Sequence, residues 1–124
     1  MNAYIIKGYR TAVGKAGRGG FKSTSPVDLA AEVINYLLKS VPELDPIRVD
    51  DVIVGNAVPE AEQGLQMGRW VVVRSGLPLS VPGVSVNRYC GSGVETIAMA
   101  VGKIQAGFAH CIIAGGTESM SMVP

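Results

Sequence analysis

Histidine, cysteine and aromatic side chains are scarce in this sequence, and each scarcity closes off a class of function. One histidine, His110, and two cysteines, Cys90 and Cys111, with no Cys-x-x-Cys spacing, provide neither a metal-ligand set nor a disulfide framework. A reducing compartment, the cytoplasm, is therefore the expected location. Aromatic residues make up 6% of the chain, and the 11 Lys and Arg residues are scattered, leaving a net charge of +1. No basic stripe interleaved with aromatics offers itself to nucleic acid. The densest basic group, Lys15 to Lys22, reads as a solvated Gly-rich loop. No apolar run approaches the roughly 20 residues that span a bilayer, since Val71-Val72-Val73 stops at Arg74. The residues after Met1 lack a basic region followed by an apolar core, so no targeting leader is predicted.

What the sequence has in quantity is aliphatic residues. Hydrophobic residues reach 48% against 17% charged, and Val, Ile, Leu and Ala dominate, as in layered α/β structures. The 124 residues are enough for a core of their own, and no linker or low-complexity tract divides residues 1–124. One grammar recurs: a β-rich run, a Gly or Pro break, then a helical pattern. Ala3 to Gly8 reads as a first strand running into the Gly-rich stretch Gly14 to Gly20. A helix comes next, with Ser25 as N-cap, Pro26 at its first position and Asp28 completing a Ser-x-x-Asp capping box. Leu29, Val33, Ile34, Leu37 and Leu38 share one face of it, and Pro42 ends it.

Val49 to Val58 reads as the second strand and Gln66 to Ser75 as the second helix, its Val-rich centre notwithstanding. Gly83 to Asn87 is the third strand. The next helix opens at Cys90 or Gly91, with Val94, Ile97, Ala98, Val101 and Ile104 expected on its inner face and Gly107 as its left-handed terminator. Cys111 to Ala114 is the fourth strand, and its apolar run suits a central position covered on both faces. Strands separated by helices imply right-handed crossovers and a mostly parallel sheet.

The chemically informative stretch is Val86-Asn87-Arg88-Tyr89-Cys90-Gly91-Ser92-Gly93, where a strand gives way to a helix. A thiol at a helix N-terminus faces unpaired amide groups and the positive end of the helix dipole, and both favour thiolate over thiol. The small residues Gly91, Ser92 and Gly93 allow a substrate carbonyl close to the backbone, whose amides suit an oxyanion. Free cysteine is also commonly buried and inert; on residue chemistry alone the nucleophile and the inert turn residue stand level. Gly-x-Ser-x-Gly, Gly-x-Gly-x-x-Gly and phosphate-loop patterns are absent.

Three stretches together resemble the thiolase family. They are Val86 to Gly93, Arg10-Thr11-Ala12-Val13-Gly14 near the start, and Ala114-Gly115-Gly116-Thr117-Glu118-Ser119-Met120-Ser121 near the end. They fall in family order with strand–helix units between them. Gly55 to Gly64 looks more like the degradative 3-ketoacyl-CoA branch than the acetoacetyl-CoA branch. The resemblance implies a thiolase-like layered fold with a mostly parallel mixed sheet and helices on both faces, of which residues 1–124 form part of the amino-terminal domain.

It further implies an acyltransferase in which Cys90 forms an acyl-thioester while making or cleaving a 3-ketoacyl-CoA. Acyl-CoA and CoA are the substrates, no cofactor or metal is needed, and the Cys90 amide contributes to an oxyanion hole. The full enzyme would be a homodimer or homotetramer. A ketoacyl-synthase-type condensing enzyme shares the junction cysteine, but the Arg10-Thr11-Ala12 and Asn87-Arg88-Tyr89-Cys90 spellings argue against it. A non-enzymatic assembly unit is the remaining alternative.

The histidine, second cysteine and Asn-containing loop that the family uses sit in Gly-His-Pro, Cys-x-Gly and Asn-Glu-Ala-Phe type motifs, and none occurs here. The chain is therefore expected to be a piece of a longer enzyme, inactive by itself. His110 is expected at a turn, Cys111 as a core filler, and Glu118 as an acceptor for local backbone amides. Arg10 and Arg88 are expected in structural contacts rather than at a binding site.

Overall fold

The computed structural model describes residues 1–124. Helix α1 spans Pro26–Lys39, and its start matches the sequence closely: the Ser25 side chain accepts from Val27 N–H and Pro26 occupies the first turn. Asp28 does something else than expected. It does not complete a capping box but pairs with Arg74 of helix α2, Met67–Ser75. Because this pair is exposed, it contributes little beyond aligning the two helices.

Three strands make the sheet, β1 at Asp51–Gly55, β2 at Gly83–Val86 and β3 at Ile112–Gly116, in the order β2-β1-β3. Both pairings are parallel, in register Val52 with Gly83 and Asp51 with Ile112. This bears out the α/β class, with every strand parallel. One expectation about the sheet is overturned, because the last strand lies at an edge and the central position belongs to β1. All five β1 residues are buried, whereas β3 is half-buried and then exposed at Gly115 and Gly116. An apolar run shows that a strand is sandwiched between layers, and it carries no information about which neighbour lies on each edge.

Alternation along β1 assigns the two faces. Val52 and Val54 join Met67, Val71 and Val72 of α2, with Ile34 of α1, in the main core cluster. Asp51 and Gly55 point the other way, to Lys103 and Ser92 of helix α3, Ser92–Gln105. Helices thus cover both faces. The α2 layer comes close to β2 because Gly68 and Gly83 meet backbone to backbone, with no room for a Cβ at either position.

Helix α3 buries a different stripe from the apolar one expected, of which Val101 and Ile104 alone are half-buried. Ser92, Thr96 and Ala100 are buried on the sheet, while Val94 is 75% exposed and Ile97 44% exposed. The sheet side needs small residues because Gly55 abuts the Ser92 backbone, and Lys103 extends to reach Asp51. Both stripes have helical spacing, and close approach rather than apolarity chose between them. Gly107 does terminate the helix with φ +81°.

The expected first strand, Ala3 to Gly8, does not form. Tyr4, Ile5 and Ile6 are largely exposed, and the segment pairs with none of the three strands. The segment after them passes over the sheet and, with α1 and Val52 and Val54, encloses a cavity of about 500 Å³.

Candidate active site

In a parallel sheet the loops at the carboxyl ends of the strands gather on one side, where α/β proteins place their chemistry. Three such loops meet here. Asn56 N–H, just past β1, donates to Val86 O at the end of β2 (3.0 Å), and Thr117 N–H, just past β3, donates to Gly55 O (3.1 Å). Cys90 lies in the loop between β2 and α3, exposed and unpaired.

The loop carrying Cys90 is held from both ends. Asn87 Oδ1 accepts from Tyr89 N–H (2.9 Å). Gly91 N–H donates to Arg88 O (3.0 Å) and Ser92 N–H to Tyr89 O (3.1 Å). The Ser92 hydroxyl accepts from Arg88 N–H (2.8 Å) and donates to Tyr89 O (2.6 Å). Tyr89 itself has φ +46°, a left-handed conformation that a bulky residue rarely adopts. Arg88 forms an ion pair with Glu95 in the first turn of α3, the structural use expected of it. Arg10 donates to Thr11 O, its neighbour. The backbone N–H groups of Cys90, Gly93 and Val94 donate to no protein acceptor, so three amide donors remain open in the segment that carries the thiol.

A second polar cluster fastens the β1 and β3 loops together. Glu118 accepts from Ala57 N–H (2.7 Å), Val58 N–H (3.3 Å), Asn56 Nδ2 (3.2 Å) and Gln63 Nε2 (2.5 Å). Its expected role as an acceptor for local amides holds and is enlarged by two side-chain donors. Gln63 is fully buried, also donates to Val58 O (2.8 Å), and accepts from Ser119 N–H. Nothing in the local pattern marks Gln63, because its partner Glu118 lies 55 positions away. The first and last resemblance motifs meet too: Gly17 N–H donates to Ser121 Oγ (2.8 Å), and residues 10–14 and 115–121 line the same cavity. None of residues 86–93 lines it, so this cavity is not where the thiol sits.

His110 and Cys111 are at the far end of the sheet. They precede β3, a five-residue strand that separates them from the Cys90 side by roughly 16 Å. The backbone N–H groups of both donate to Asp50 Oδ2, holding that carboxyl below its ordinary range. Burial, and then the Asp50 charge, push the Cys111 thiol up. Cys111 packs against the core cluster, and His110 is exposed at a turn. Neither reaches the loop that bears Cys90.

Comparison with known proteins places the chain. The family described as thiolase, N-terminal domain, matches residues 3–124. A 3-ketoacyl-CoA thiolase of Bacillus subtilis is 48% identical over 122 residues, 98% of this chain and 31% of the relative. A beta-ketoadipyl-CoA thiolase of Acinetobacter baylyi is 44% identical over 123 residues, 99% of this chain and 30% of the relative. An acetyl-CoA acetyltransferase of Escherichia coli is 42% identical over 123 residues, again 99% and 30%. The chain thus spans about a third of the length of the curated relatives it matches.

Proposed function

The chain belongs to the thiolase family, and from that premise we propose that it supplies the nucleophile of a thiolase reaction, Cys90, for making or cleaving a 3-ketoacyl-CoA. In the cleaving direction the Cys90 thiolate attacks the keto carbon, and the carbonyl oxygen becomes an alkoxide. The bond between the α and β carbons then breaks. Acetyl-CoA departs as its enolate and takes up a proton, leaving an acyl group on Cys90 Sγ. The thiol of a second CoA gives up its proton, attacks this thioester and carries away the shortened acyl chain, regenerating the thiolate. In the making direction acetyl-Cys90 accepts the enolate of another acetyl-CoA.

The observation that carries this reading is the concentration of open donors at Cys90. The thiol is exposed just before α3, and the N–H groups of Cys90, Gly93 and Val94 in the same segment have no protein acceptor. Such donors stabilise an alkoxide as it forms. The other thiol, Cys111, has the opposite environment. The base that activates the nucleophile and the second acid are not supplied by His110 or Cys111, which lie across the sheet. Residues 1–124 act as one unit in this scheme, within a homo-oligomer of the cytoplasm. The two free cysteines suit that compartment.

Incubation with acetyl-CoA and then peptide mass spectrometry tests the assignment. Acetyl on Cys90 and none on Cys111 is the expected result. Equal occupancy, or acetyl on Cys111 alone, overturns it. No steady turnover of acetoacetyl-CoA is expected from these 124 residues alone, and a rate abolished by Cys90→Ala would contradict that.

A further inference from the structure

The side chain of Ser92 makes contacts that helix formation does not require. It stands at the first position of α3, where a Ser hydroxyl usually serves the helix's own amides if it serves any. Here the hydroxyl turns back into the preceding loop and uses both its capacities there, accepting from Arg88 N–H and donating to Tyr89 O. Those two groups flank the peptide that joins Arg88 to Tyr89, so one hydroxyl fixes the orientation of both. The residue they hold is Tyr89, at φ +46°, immediately before the nucleophile. Asn87 Oδ1 pins the other backbone polar group of Tyr89, its N–H.

The hydroxyl is itself held in place. Ser92 is 5% exposed and seated on the central strand, where a Cβ on Gly55 would fall 2.9–3.0 Å from its backbone and Cβ. Strand, glycine, serine and loop therefore form a rigid stack from β1 to Cys90. Tyr89 gains nothing from burial in return for its conformation, since it is 76% exposed. A strained, exposed aromatic residue held by a buried hydroxyl points to a role in orienting its neighbour, Cys90.

We propose that Ser92 is a positioning residue for Cys90: by holding Tyr89 in the left-handed conformation, it aims the thiol and leaves the Cys90 N–H free to meet the same carbonyl. This rests on Cys90 being the nucleophile. Without the hydroxyl, Tyr89 relaxes to an ordinary backbone conformation and the thiol turns away from its amide donors. The thiol remains present and exposed. Two reactions of Cys90 therefore separate. Acylation needs the thiol and the oxyanion donors aligned on one carbonyl, whereas alkylation by iodoacetamide needs only an accessible thiolate.

The test compares these two rates at Cys90 in the 124-residue chain, with circular dichroism melting as a check on folding. Ser92→Ala should lower acetylation by acetyl-CoA about tenfold or more, while alkylation changes less than about threefold. Adding Tyr89→Asn should restore most of the acetylation, because Asn tolerates left-handed φ without help. Rescue of this kind is not expected if Ser92 only stabilises the helix. Parallel falls in both rates, unchanged acetylation in Ser92→Ala, or no rescue by Tyr89→Asn overturns the proposal. Should Ser92→Ala fail to fold, Asn87→Ala at an exposed position makes the same comparison, with the same expected split and the same refutation. Failure of the nucleophile assignment is distinguishable, since the unmodified chain would then take no acetyl on Cys90.

Discussion

The contact between Gly68 and β2 gives the sharpest prediction about the fold, because a matched control changes sign. In Gly68→Ala the new Cβ falls inside 3.0 Å of three backbone atoms of Val84. Backbone on both sides leaves no flexible side chain to give way. To regain ordinary contact α2 must retreat from β2 by about 1 Å, a gap that already forfeits a quarter to a half of each affected dispersion contact. Helix α2 carries Met67, Val71 and Val72, at most 1% exposed, into the core that such a shift disturbs. Overpacking of this kind costs about 1–3 kcal/mol, and the better helix propensity of Ala returns less than about 1 kcal/mol. The expected net loss is about 2 kcal/mol. Gly102, inside α3 with nothing within 4 Å, supplies the control, and Gly102→Ala should stabilise by about 0.5–1 kcal/mol. Urea unfolding monitored by circular dichroism reads both. With a slope of about 2 kcal/mol per M, the Gly68→Ala midpoint falls by roughly 1 M and the Gly102→Ala midpoint rises. A Gly68→Ala chain as stable as the parent, or shifted in the same direction as Gly102→Ala, would refute the account of α2–β2 packing.

The site and its surroundings support four more expected outcomes. At pH 7 Cys90 should react with iodoacetamide at least about tenfold faster than Cys111, which is partly buried and has its thiol pushed up; equal labelling rates would contradict an open thiol at α3. Glu118→Gln sets an amide donor among four donors and should cost about 2 kcal/mol, with faster hydrogen exchange at Ala57 and Val58. Unchanged exchange there would show that the two loops do not depend on Glu118. The Asp50 carboxyl is held below its ordinary value of 3.8, so its contribution is present above that pH and is lost as pH falls through the lower folded value. The melting-temperature gap between the parent chain and Asp50→Asn should therefore close on acidification, and a gap that widens would reverse the sign. Ile97→Lys on the outward face of α3 should change stability in urea unfolding by less than about 0.5 kcal/mol. A loss of several kcal/mol would mean that this face is packed.

Much of the architecture was legible because local chemistry decided it. Ser25 and Pro26 begin α1, Gly107 ends α3, and Val86 to Gly91 turns a strand into a helix at Cys90, all through interactions among near neighbours. Features set by distant partners were not legible. The run Ala3 to Gly8 has strand composition, but a strand also needs a partner, and this run is not part of the three-stranded sheet. Helix α3 offers two stripes of equal periodicity, and only the Gly55–Ser92 approach selects the small one. The centrality of β1 depends on which strands flank it. At the site, Cys90 and Glu118 stood out by motif, whereas Gln63 and the Ser92 hydroxyl act through geometry that spacing does not reveal.

The order β2-β1-β3 also has a consequence in time. The middle strand is made first and both its neighbours later, so β1 cannot be completed by anything the ribosome has already released. Its β2 side waits for about thirty more residues and its β3 side for about sixty. At 5–20 residues per second, the second edge stays open for roughly 3–12 s during synthesis. Throughout that interval Val52, Ile53 and Val54 form a ready template for another chain. Closing the sheet then requires two long-range loop closures rather than a zipper of neighbours, which places this chain among slow-folding topologies.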